Sequence, residues 1–117
     1  MSAIPEHSSI EIVPPIIFNE DADVHAYPSV EAVIRDVEVV DILDNVYRFH
    51  DSTGRVLEAQ VHKGKISLVP TSKIEPDSEP LRSYIIGMLR LHGVPETGLS
   101  NAPFTDLARL LAEKSKR

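Results

Sequence analysis

Hydrophobic and polar positions alternate most regularly in the middle of the chain, where "VYRFH" (46–50), "VLEAQVH" (56–62) and "KISLV" (65–69) are separated by "DSTGR" and "KG". Pairing His50 with Val56 across a five-residue loop sets Phe49 opposite Leu57 and Tyr47 opposite Ala59. A two-residue turn at Lys63 and Gly64 then sets Val61 opposite Ile66 and Ala59 opposite Leu68. All of these apolar residues fall on one face, and a slip of one residue would scatter them. The pattern predicts a three-stranded antiparallel meander, with Arg48, His50, Glu58, Gln60 and His62 on the opposite face as exposed or half-exposed side chains.

Upstream, "IIF" and "DVHAY" flank the turn residues "NEDA", which predicts a first hairpin over residues 16–27. Pro28 favours an extended Tyr27, and Ser29 is placed to cap a helix whose Glu31 suits the positive N-terminal end. In that helix Val30, Val33, Ile34 and Val37 recur at i, i+3, i+4 and i+7, one apolar stripe. A strand over 37–42 competes for its end, because β-branched residues are mediocre helix formers.

After the polar, Pro-rich "PTSKIEPDSEP", a second helix begins near Pro80, with Asp77, Ser78 or Glu79 as caps. Its stripe is Leu81, Tyr84, Ile85, Met88 and Leu89, and Gly93 stops it. Pro103 opens a third helix, with Phe104, Leu107, Ala108, Leu110 and Leu111 on one side and Arg109, Lys114, Lys116 and Arg117 toward its negative C-terminal end. The element order β-β-α-β-β-β-α-α defines an α+β fold: one two-layer domain over 10–117, an N-terminal hairpin plus a meander in an antiparallel sheet, three helices, and a frayed tail over 1–9. A chain of 117 residues can bury over about 60% of its unfolded surface, enough for a single core.

Charge changes the picture more than composition does. The net charge is −6, but residues 1–44 hold ten Asp or Glu and a single Arg, whereas residues 45–117 hold eight acids and eleven bases. The first part is therefore at −9 and the second at +3, an asymmetry that steers a basic partner and repels nucleic acid from the acidic side. Since the apolar stripe of the first helix faces inward, Asp21, Asp23, Glu31, Asp36 and Glu38 are left to the solvent. They form the candidate partner-binding set.

Several chemistries are set aside. Without Cys there are no disulfides, thiolate nucleophiles or cysteine-ligated metal sites. "NEDAD" (19–23) lacks the alternating acids, Gly and distal Glu of a calcium loop. The five histidines never reach the i, i+4 spacing of a helical zinc site. No metal and no cofactor are expected. "DSTGR" has neither the spacing of a phosphate loop nor a following helix, and no Ser lies in a G-x-S-x-G elbow. Dispersed bases and few aromatic residues argue against nucleic-acid binding. No apolar run reaches the roughly 20 residues of a membrane span, and the N-terminus lacks the regions of a signal peptide, so the expectation is a cytoplasmic protein, monomeric or homodimeric.

Residues 23–61 resemble small bacterial proteins, some of them immunity partners of secreted toxins. The resemblance rests on Tyr27, Ser29, Val30 and Glu31 at a helix entrance, on Val40 and Asp41, and on Tyr47 leading to Asp51, Gly54, Arg55 and Leu57. It implies the fold and an inhibitory role. The expected function is thus a non-enzymatic acidic domain that engages a basic protein surface. Two alternatives are a small enzyme or ligand-binding domain using His50, His62 and nearby carboxylates, and a self-associating structural subunit.

Overall fold

The computed structural model describes residues 11–44, 47–75, 81–95 and 97–114. The expected tail over 1–9 and the proposed caps Asp77, Ser78 and Glu79 lie outside them. Strands β1 (Ile16–Glu20) and β2 (Asp23–Tyr27) form the first hairpin, and β3 (Arg48–His50), β4 (Arg55–His62) and β5 (Lys65–Ile74) form the meander. Helices α1 (Val30–Asp36) and α2 (Val39–Leu43) lie between β2 and β3, and α3 (Leu81–Leu91) and α4 (Phe104–Lys114) follow β5. The fold is α+β with one open antiparallel sheet in the order β2-β1-β3-β4-β5.

The register of the meander follows from the side-chain pattern, while in the first hairpin Asn19 and Glu20 of the expected "NEDA" turn pair with Val24 and Asp23, so that only Asp21 and Ala22 turn the chain. Ile16 pairs with Tyr27, Phe49 with Leu57, His50 with Val56, Val61 with Ile66 and Ala59 with Leu68. The Lys63–Gly64 turn has positive φ at both residues, 52° and 77°, the mirror-image turn whose twist matches that of the flanking strands. Asp21 also takes a left-handed φ of 50°, which Asp tolerates better than most residues. What joins the two hairpins is long-range: β1 pairs with β3 through Ile17–His50, Phe18–Phe49 and Asn19–Arg48.

Side chains of β1 alternate between two cores, as strand geometry requires. Ile16 and Phe18 pack with Val33, Val37, Phe49, Leu57 and Leu68, beneath α1. Ile17 instead joins Val24 and Ala26 against Leu81, Ile85 and Leu89 of α3 and Phe104, Leu107, Ala108 and Leu111 of α4. Helices therefore cover both faces of the sheet at its β1–β2 end. Ser29 caps α1 by accepting from the Ala32 amide at 3.1 Å. Gly93, at φ 86°, ends α3, and the Val94 amide reaches back to the Leu89 carbonyl at 3.0 Å.

Over 39–43 the chain forms the short helix α2 rather than a strand. Both long edges of β1 are already occupied, by β2 and β3, so a strand at 37–42 has no partner there. Glu38 at the N-cap and Asp41 in the first turn suit a helix start. At the far edge of the sheet, β5 carries Pro70 and the lysines Lys65 and Lys73, features that discourage edge-to-edge pairing.

Candidate functional site

Two surface regions concentrate chemistry. The first is built around Tyr47, which immediately precedes β3, one residue beyond the last β1–β3 pair, Asn19–Arg48. Its ring makes an edge contact with Phe18, centroids 5.2 Å apart, and Phe18 also stacks on Phe49 and His25 and touches Tyr27. The aromatic group anchors the tyrosine from below. Its hydroxyl lies 3.4 Å from Asp41 Oδ2. Partial burial, then the charges of Asp41, Glu20 and Glu38, push the phenol above its ordinary value of 10.0. Three carboxylates, from β1, the α2 cap and α2 itself, thus act electrostatically on one tyrosine, and Asp41 is in direct contact with it.

The acidic region extends along the hairpin. Glu20 stands directly opposite Asp23, a like-charge cross-strand pair that costs stability rather than adding to it. Asp21 occupies the adjoining turn, and Asp23 lies 3.0 Å from His25 Nε2. Beside this group α2 exposes two apolar residues one turn apart, Val40 at 55% and Leu43 at 69%.

The sequence-predicted acids are all exposed, and the structure distributes them unevenly. Glu38 belongs to the region around Tyr47, whereas Asp21 and Asp23 lie at the turn end of the β1–β2 hairpin. Asp36, at the end of α1, accepts a 2.7 Å hydrogen bond from the Tyr27 hydroxyl. Glu31 sits in the first turn of α1, where it suits the helix dipole. Sequence reasoning omitted Glu20, Asp41, Val40 and Leu43, because their proximity depends on how α2 crosses the sheet.

The second region adjoins the first, since Tyr47 and Ile42 also line it: a cleft of ≈ 320 Å³ between β3 and β4, beside the bulge in β5. Arg55 pairs with Ile74 and Leu57 with Pro70, so extra residues of β5 arch outward between these pairs. The Thr71 hydroxyl donates to the Val56 carbonyl at 2.8 Å, and Arg55 donates to the Thr71 carbonyl at 2.8 Å, which together hold the arch. Glu75 is fixed by its amide on the Gly54 carbonyl, 2.6 Å. Its carboxylate reaches Lys73 Nζ at 3.1 Å and His50 Nε2 at 3.5 Å.

His50 is 6% exposed, where the sequence suggested an exposed or half-exposed ring. The bulge and the β3–β4 turn cover that side of the sheet, which the alternation of residues alone does not reveal. Burial lowers its pKa from 6.5, against the opposing influence of Glu75 and Asp51. The Glu75 carboxyl is held below its ordinary 4.5, chiefly by Lys73. His62 is not part of this group: it is exposed at the far end of β4, six residues from the partner of His50, about 20 Å at the usual strand rise.

Asp51, fully buried in the adjoining turn, was also unexpected. Its Oδ1 accepts from the Thr53 amide and hydroxyl and from the Arg55 amide, at 2.9, 2.6 and 3.1 Å, while Oδ2 accepts from the Val13 amide at 3.1 Å. The carboxylate is a structural knot between the turn and the chain entering β1.

Among the described residues no group of three or more His, Asp or Glu could hold a metal ion, and no helix is long and apolar enough to cross a membrane. No protein family, curated protein or solved structure matches this chain.

Proposed function

We propose that the protein is a non-enzymatic binding domain that engages a basic protein surface through the region around Tyr47, in the manner of an inhibitor or immunity protein. The observation that carries this reading is the 3.4 Å contact of the Tyr47 hydroxyl with Asp41 on α2, whose outer side also exposes Val40 and Leu43, with the charges of Glu20 and Glu38 acting on the same phenol. Carboxylates supply orientation and a fast encounter with a cationic partner. The tyrosine and the two exposed apolar side chains supply anchors of the kind that dominate interface energetics. Asp21 and Asp23 extend the field along the hairpin, and Asp36 and Glu31 add to it from α1. The like-charge pairing of Glu20 with Asp23 is consistent with a surface kept for recognition rather than stability. Such a role needs neither cofactor nor nucleic acid.

The test is affinity capture from a bacterial lysate with the parent protein and with a Glu20→Lys/Glu38→Lys/Asp41→Lys variant, at low and raised ionic strength. The reading expects basic proteins to be retained by the parent at low salt and lost with the variant. Equal capture by both would overturn it.

A further inference from the structure

We infer that α2 of one copy docks on the outer face of α3 of a second copy, a head-to-tail contact that occupies the acidic face when no other partner does. This rests on the reading of α2 as a docking face and names an occupant for it. Gly87 gives the first reason. It lies in the middle of α3, where glycine is unfavourable relative to alanine because it has more backbone freedom to lose on folding. Nothing within the molecule requires it: the residue is exposed, has no left-handed φ, and a Cβ placed there would meet nothing within 4 Å beyond the helix's own backbone. The missing side chain leaves a notch on the solvent side, where another backbone can come close. Ser83, Gly87, Arg90 and Leu91, all exposed, recur at i, i+4, i+7 and i+8 and share one face, opposite the buried Leu81, Ile85 and Leu89.

The second reason is complementarity between this face and α2. Leu91 is 81% exposed, and among the described large apolar residues Leu43 and Val40 come next. Their surroundings carry opposite charge. α3 contains Arg82 and Arg90 and no acid, and an exposed His92 follows it, whereas α2 contains Asp41 between Glu38 and Asp44 and no base. Val40 and Leu43, one turn apart, would sit over Gly87 and against Leu91, with the carboxylates of α2 toward Arg90 and His92. The two faces lie on opposite sides of the sheet, since Ile42 of α2 packs on the core of Phe18 and Phe49 and α3 on that of Ile17. A two-fold pair would not satisfy both contacts at once, so the association is heterologous and adds copies head to tail. With so short a helix the interface is small, and a dissociation constant on the order of 100 μM is expected.

Sedimentation velocity from roughly 10 μM to 1 mM at low ionic strength should show the parent's sedimentation coefficient rising with concentration, and rising less at about 0.5 M salt. Gly87→Gln fills the notch: it should melt about 3 °C higher, as a better helix former, yet stay monomeric over the same range. Val40→Ser/Leu43→Ser should stay monomeric as well. Mixed together, the two variants should form a dimer and nothing larger, because each retains the face that the other lacks. A parent that is monomeric throughout would overturn the inference, as would Gly87→Gln associating as strongly as the parent. Association that persists in Val40→Ser/Leu43→Ser would show α3 pairing with itself, and no dimer on mixing would exclude the head-to-tail contact. Capture of basic proteins by the monomeric Gly87→Gln variant, whose acidic face is intact, tests the reading of α2 separately: its failure would count against that reading and not against the contact between copies.

Discussion

The His50 imidazole and the Glu75 carboxylate meet at 3.5 Å across the back of β4, joining strand β3 to the end of β5, two strands away. The contact depends on the bulge in β5, whose extra residues between Pro70 and Ile74 place Glu75, just past the Arg55–Ile74 pair, beside the ring. It couples the protonation of a buried ring to the closure of this end of the sheet.

Stability should therefore fall as the medium is acidified. The folded-state pKa of His50 lies below 6.5, so the unfolded chain takes up a proton first, and stability is full above 6.5 and declines as pH falls toward the folded value. Glu75, also lowered from 4.5, adds a second loss of the same sign below that value. Urea unfolding between pH 7.5 and 5 should show the first loss, and His50→Gln should flatten that window while leaving the second. A parent protein whose midpoint is constant over that window would contradict the assignment.

The Tyr47 phenol should respond to its neighbours. Asp41→Asn removes both a charge and a hydrogen-bond acceptor, so the phenol should titrate closer to 10.0 than in the parent. Ultraviolet absorbance during an alkaline titration follows the change. An identical titration curve would place Asp41 too far away to matter.

Phe49 is 4% exposed and packs among Phe18, Tyr47 and Leu57. Phe49→Ala should cost about 3 to 5 kcal/mol, since the lost transfer energy and the cavity add. Chemical denaturation measures it directly.

Asp51→Ala leaves four donor groups of the turn and of Val13 without their acceptor. The expected loss is about 2 to 3 kcal/mol. Faster hydrogen exchange at the Val13, Thr53 and Arg55 amides should accompany it, whereas a merely global loss would not single out these three.

On α2, Val40→Ser and Leu43→Ser should change stability by no more than about 0.5 kcal/mol, because both side chains already face water. Loss of partner capture in the same variants, at unchanged unfolding midpoint, would separate an interface role from a folding role.

Local pattern was enough to determine the existence of both hairpins, the register of the meander and the buried stripe of each long helix, though not where the first hairpin turns. The pairs Phe49–Leu57 and Ala59–Leu68, the Ser29 cap and the Gly93 stop all depend on residues close together in the chain, where side-chain alternation and turn geometry act directly. Only the tertiary structure decided that β1 pairs with β3, that Ile17 and Phe18 serve different cores, and that α2 brings Glu38 and Asp41 to Tyr47 and Glu20. It also decided that His50 is buried beneath a bulge and stands far from His62. Those relationships join residues whose separation in the chain carries no periodic signal, so they are settled by which surfaces can be buried together rather than by any local preference.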